Sequence, residues 1–130
     1  MNPDPGSPAD WLRHARSDLA IAKMARSKDV MIEDQCYHAQ QCAEKSIKAI
    51  LVAAGIEPFR THDLEALLRR MPQSVEIPPK IIDAFALTDY ASTMRYPGLD
   101  ADATENDLAE AVDLAEAVLN WAISVIESKR

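Results

Sequence analysis

The sequence predicts an all-α protein, an antiparallel up-and-down helical bundle of four main helices plus one short helix. Three observations predict it. The chain is 48% hydrophobic with only 5% aromatics, so its apolar mass is mostly Ala, Leu, Ile and Val, a mixture rich in strong helix formers. Apolar residues recur at three-four spacing over long stretches, and no stretch alternates as a half-buried strand would. Capping and breaking residues (Ser7-Pro8, Gly55, Pro72, Pro97-Gly98, Thr104) punctuate these stretches. At 130 residues the chain suits one domain, able to bury about two-thirds of its unfolded surface. Residues 1–7 read as a disordered or extended tail and residues 8–130 as a single helical domain.

The first helix starts with Ser7 as N-cap, Pro8 at the first helical position and Asp10 in the first turn. Leu12, Ala15, Leu19 and Ala22 form its apolar stripe, with Trp11 beside it, and Ser27-Lys28-Asp29 breaks the pattern. The second runs from Ile32 to about Ala54, where Gly55 suits a left-handed terminus. Cys36, Ala39, Ala43, Ile47, Ile50 and Ala54 are its core stripe, and at 1.5 Å per residue it is roughly 35 Å long, the spine of the fold. Thr61 is the expected cap of a short third helix with Leu64, Leu67, Leu68 and Met71 on its buried edge, stopped by Pro72. The fourth is expected from Pro79 to near Arg95, since Tyr96 precedes Pro97 and is pushed out of helical geometry. It carries Ile81, Ala84, Phe85, Leu87, Thr88 and Ala91. Thr104 caps the last helix, whose stripe is Leu108, Ala111, Ala115, Val118, Ala122 and Ile126, with Glu105 and Asp107 favourably placed in the first turn.

The formal charge of −7 is unevenly distributed. Residues 1–98 carry 12 basic and 13 acidic side chains, net −1, whereas residues 99–130 carry two basic and eight acidic, net −6. Such a chain is a poor non-specific DNA binder, because phosphate affinity rests on basic patches. Glu110, Asp113 and Glu116 of the last helix read as a solubilising face. Cys36 and Cys42, about 240° apart around one helix, are not placed to bridge. Isolated thiols suit a reducing cytoplasm, the expected location. The polar, Pro-rich start does not resemble a signal peptide, and no apolar run approaches a membrane span.

The densest chemistry lies on helix 2. Tyr37, Gln41, Glu44 and Lys48 share one strip, flanked by His38 and Lys45, with Glu44 and Lys48 in the favourable i,i+4 orientation. An aromatic, an amide, an acid and a base on one face suit a binding pocket or a dimer seam; a solvated helix face is the plain alternative. His62 with Asp63 could handle protons, since imidazole titrates near neutrality, or could merely anchor its loop while Asp63 meets the helix dipole. Arg95 could grip a phosphate bidentately or neutralise the carbonyls ending helix 4. Tyr96 could stack on a base or pack its loop. No HExxH is present, so no metal site and no cofactor is expected. The few glycines offer no phosphate loop.

Taken together, Tyr37-His38-Ala39-Gln40-Gln41 with Ala43-Glu44-Lys45 and Lys48-Ala49, then Thr61-His62-Asp63-Leu64, then Arg95-Tyr96-Pro97, resemble the HEPN family over nearly the whole chain. The resemblance implies a helical bundle that pairs into a homodimer, often beside a minimal nucleotidyltransferase, in toxin-antitoxin pairs or as a nucleotide-binding accessory subunit. Many such proteins are metal-independent ribonucleases with a His four to six residues after an Arg that follows the fourth helix. Here Arg95 is followed at those positions by Leu99, Asp100 and Ala101, with no His. The reading is therefore a non-enzymatic nucleotide-binding or accessory module, with Arg95, Tyr96, Tyr37, Gln41, Glu44 and Lys48 lining the ligand cleft. The alternatives are a ribonuclease toxin using Arg95 with His62 or His38, and a purely structural dimerising subunit.

Overall fold

The computed structural model describes residues 2–91 and 102–129. Those residues form α1 (Pro8–Lys23), α2 (Ile32–Ala53), α3 (Leu64–Leu68), α4 (Pro79–Asp83), a 3-10 helix (Ala84–Ala91) and α5 (Glu105–Ser128). The all-α bundle is borne out. No strand occurs among the described residues.

Local chemistry sets the helix ends. The Ser7 hydroxyl accepts from the Asp10 N–H at 3.2 Å, and the Asp10 carboxylate accepts from the Gly6 N–H at 3.0 Å. At α5, Thr104 and Asp107 close a reciprocal capping box, the hydroxyl accepting at 3.1 Å and the carboxylate at 2.8 Å. The chain leaves α2 through Gly55, whose φ of +76° is open to glycine at little cost.

The third helix starts differently from the expectation. Its cap is Asp63, which accepts from the N–H groups of Glu65 and Ala66. Thr61 instead accepts from the Asp63 N–H at 3.1 Å and shapes the approach. The expected fourth helix is α for only five residues and then narrows to 3-10 through Ala91. Ile81, Ala84, Leu87 and Tyr90 explain this, because they recur at strict three-residue spacing. That row stays on one face only at three residues per turn. Ile81, Ala84 and Leu87 are buried and Tyr90 is half-buried. The expected end near Arg95 lies outside the described residues.

Helix α2 is the spine, as its length suggests. Cys36, Ala39, Ala43, Ile47 and Ile50 are fully buried, but so are Cys42, Ala49 and Leu51 on other sides. Helix α1 packs against it in the opposite direction: Gln35 near the start of α2 donates to the Ile21, Ala22 and Met24 carbonyls ending α1. At the other end, Lys48 of α2 lies over the Trp11 ring of α1. Helix α5 packs on the far side, where the Cys42 thiol donates to the Ala115 carbonyl. Trp121 fastens the loop before α4 by donating to the Glu76 carbonyl at 3.1 Å. The acids of α5 do more than solubilise, because Glu116 pairs with Lys23 at 3.0 Å, Asp113 with Lys80 at 2.8 Å, and Glu105 with Arg26.

Both cysteines are buried and free. Burial pushes the Cys36 thiol up to about 11 and the Cys42 thiol up to about 12. No described helix is long and apolar enough to cross a membrane.

Candidate functional site

The helix 2 strip is not a solvated face. Gln41, Glu44 and Lys48 are all buried, between α1 and the loop that enters α3. A carboxylate taken out of water must be hydrogen-bonded and charge-paired, and Glu44 is both. Its Oε2 accepts from Lys48 Nζ at 2.9 Å. Its Oε1 accepts from Gln40 at 3.2 Å and Gln41 at 3.4 Å, and pairs with His62 Nδ1 at 2.7 Å. The amides lock one another, since the Gln41 side chain donates to Gln40 Oε1 at 2.7 Å. Gln40 also donates to the His62 carbonyl at 3.1 Å. Lys48 Nζ lies 5.6 Å from the Trp11 ring centroid, a cation–π contact on a second side.

The exposure of this cluster is graded. The side chains of Glu44 and Lys48 are 5% and 9% exposed, whereas that of His62 is 58% exposed. His62 is thus the one member that reaches solvent, and three contacts fix it: its ring on Glu44, its carbonyl on Gln40, and Thr61 and Asp63 shaping the chain on either side. The next backbone N–H, that of Leu64, donates to Thr88 Oγ1 at 3.2 Å, tying this loop to the 3-10 helix.

A second carboxylate hub sits on another side of α2. Asp18 of α1 is buried and pairs with His38 Nδ1 at 2.8 Å and Lys45 Nζ at 2.6 Å. The Tyr37 ring meets His38 edge-on at 5.5 Å. The structure therefore joins Gln41, Glu44, Lys48 and His62, while His38 and Tyr37 belong to the Asp18 side. Arg95 and Tyr96 lie outside the described residues. No group of three or more His, Cys, Asp or Glu among the described residues could hold a metal ion.

Sequence reading missed Gln40, Trp11 and Asp18 as members of these networks, and Gln35 as the side chain that holds the end of α1. Asp18 carried a usable signal, because it follows Ala15 by three positions and so sits on the apolar stripe of α1. An acid there needs cations brought to it. Gln40 stands four residues before Glu44, the spacing of facing side chains. Nothing local marked Trp11 or Gln35.

The class is defined by an α-helical bundle whose central helix, α2, takes part in two buried carboxylate hubs, one on its own Glu44 and one on Asp18 of α1. Within it, residues 8–126 match the HEPN domain, and the chain belongs to the HEPN family. It is similar to the crystal structure of TT1696 from Thermus thermophilus, with a TM-score of 0.82 at 28% identity, over 92% of this chain and 98% of that one. It is likewise similar to ST0689, an archaeal HEPN homologue, with a TM-score of 0.72 at 31% identity over the same shares. A protein of Methanocaldococcus jannaschii named "Putative toxin MJ1304" is 36% identical over 67 residues. That match covers 52% of this chain and only 43% of the relative's length.

Proposed function

We propose that this chain is the non-enzymatic HEPN module of a toxin-antitoxin-like pair, working as a homodimer beside a minimal nucleotidyltransferase and binding a nucleotide or RNA. The observation that carries the reading is the closed Glu44 network. Both carboxylate oxygens are engaged by the chain's own side chains, so Glu44, Gln41 and Lys48 act as the rigid base of a binding surface rather than as free acids and bases. The absence of a His after Arg95 points the same way. Similarity to a protein named as a toxin supports the pairing, and the free thiols suit a reducing cytoplasm. On this reading Arg95 supplies the phosphate grip and Tyr96 a stacking face, with Tyr37 at the edge of the surface.

One observation favours the ribonuclease alternative: His62 carries its ring on a buried carboxylate, the arrangement that orients a general base. Incubating the purified protein and its Arg95→Ala variant with cellular RNA separates the two. Intact RNA with both proteins is expected. Cleavage by the unmodified chain that is lost in the variant would replace the binding reading with the nuclease one.

A further inference from the structure

His62 is more tightly organised than an exposed side chain needs to be. Its Nδ1 faces Glu44 Oε1 at 2.7 Å, on a carboxylate whose other oxygen meets the Lys48 ammonium at 2.9 Å. A carboxylate without a proton only accepts, so Nδ1 must carry the hydrogen. In the neutral ring the lone pair then belongs to Nε2, on the opposite edge of a side chain that is 58% exposed. Gln40 and Gln41, donating to the same carboxylate oxygen, and Lys48, on the other oxygen, hold Glu44 in place behind it.

We infer that His62 is a phosphoryl-accepting histidine, modified at Nε2 by donors with a good leaving group such as phosphoramidates and acyl phosphates, and that Glu44 is its positioning residue. The Nε2 lone pair attacks phosphorus and an N–P bond forms. The bond from phosphorus to the leaving group breaks, and its electron pair departs with that group (as ammonia from N-protonated phosphoramidate, as carboxylate from an acyl phosphate). The Nδ1 hydrogen stays where it is. Positive charge developing on the ring is met by Glu44 through the Nδ1–H bond, as a buried carboxylate stabilises an imidazolium elsewhere.

His14 supplies an internal control. Its side chain is 52% exposed, close to the 58% of His62, but its Nε2 is the atom engaged, 3.4 Å from Arg13 Nη2 and 3.6 Å from Asp10 Oδ1. His38 is 31% exposed and shares Asp18 with Lys45. Exposure alone would make His14 and His62 react alike, whereas positioning makes them differ.

The test treats the folded chain with potassium phosphoramidate near neutral pH and maps acid-labile phosphate on its peptides by mass spectrometry, with 31P NMR to tell Nε2 from Nδ1. Labelling of His62 at Nε2 is expected roughly tenfold faster than labelling of His14, the scale of one charge-assisted hydrogen bond. The ratio should fall to about one in urea-unfolded protein, a control that needs no variant. Glu44→Gln should slow His62 to the rate of His14, and His62→Gln should remove the mark. Equal rates at His14 and His62 in the folded chain, attachment at Nδ1, or a ratio that survives unfolding would overturn the inference.

Discussion

Glu44→Gln is a perturbation whose cost the geometry allows to be worked out. The substitution keeps the shape and one acceptor oxygen but removes the charge. Lys48, whose side chain is 9% exposed, is then left among the described residues with a neutral amide and the Trp11 ring in place of an anion. Breaking one side of a buried ion pair costs about 3–5 kcal/mol, mostly as the penalty of the stranded charge. His62 adds little to this figure, because it is solvated enough to be screened. A loss near 3 kcal/mol is therefore expected, seen in urea unfolding as a lower midpoint with an unchanged slope, and in a thermal scan as a fall of roughly 10 °C. Removing the stranded charge as well, in Glu44→Gln with Lys48→Met, should restore a good part of the loss. The two sites touch, and coupling of about 0.5–3 kcal/mol is usual for such neighbours. A single-variant cost below about 1 kcal/mol, or strictly additive effects in the double variant, would refute the claim that the Glu44–Lys48 pair is buried and mutually dependent.

Four further outcomes follow from other parts of the fold. Gln35→Leu removes the side chain that donates to three carbonyls ending α1. It should cost about 1–2 kcal/mol and speed hydrogen exchange in the last turn of α1 more than elsewhere. Thr104→Ala opens the α5 capping box and should cost about 1 kcal/mol, read from the same urea titration. The thiols should resist a disulfide reagent in the native state and react fully in urea, because both stay protonated far above neutrality. They ionise at lower pH in the unfolded chain than in the folded one, so above pH 9 the unfolded state holds fewer protons. Stability should consequently be intact below pH 9 and fall as pH rises toward about 11 and about 12; urea midpoints across that window check it.

The helices were legible where one rule governs them. Leu12, Ala15, Leu19 and Ala22 on α1, and Ala111, Ala115, Val118 and Ala122 on α5, lie in the core as their spacing requires. The narrowing of α4 into a 3-10 helix was also written in the sequence, as the three-residue row Ile81, Ala84, Leu87, Tyr90, but that row resembles a three-four stripe when the register is not checked. The site was half legible. Spacing put Gln41, Glu44 and Lys48 on one strip and gave the Glu44–Lys48 pair. Whether that strip met water or protein depended on Trp11 and His62, which arrive from helix and loop positions far away in sequence. The bond from His62 to Glu44 needs the chain after Gly55 to fold back along α2. No local pattern encodes that path.

The role proposed for this chain, a module that binds nucleotide with its transferase partner, has a direct test. Nucleotides are titrated by calorimetry into the purified protein, alone and together with a minimal nucleotidyltransferase as the proposed partner. Binding heat that is weakened in Arg95→Ala is the predicted result. No heat with any nucleotide, with or without the transferase, would contradict that role and leave the chain a structural dimerising subunit.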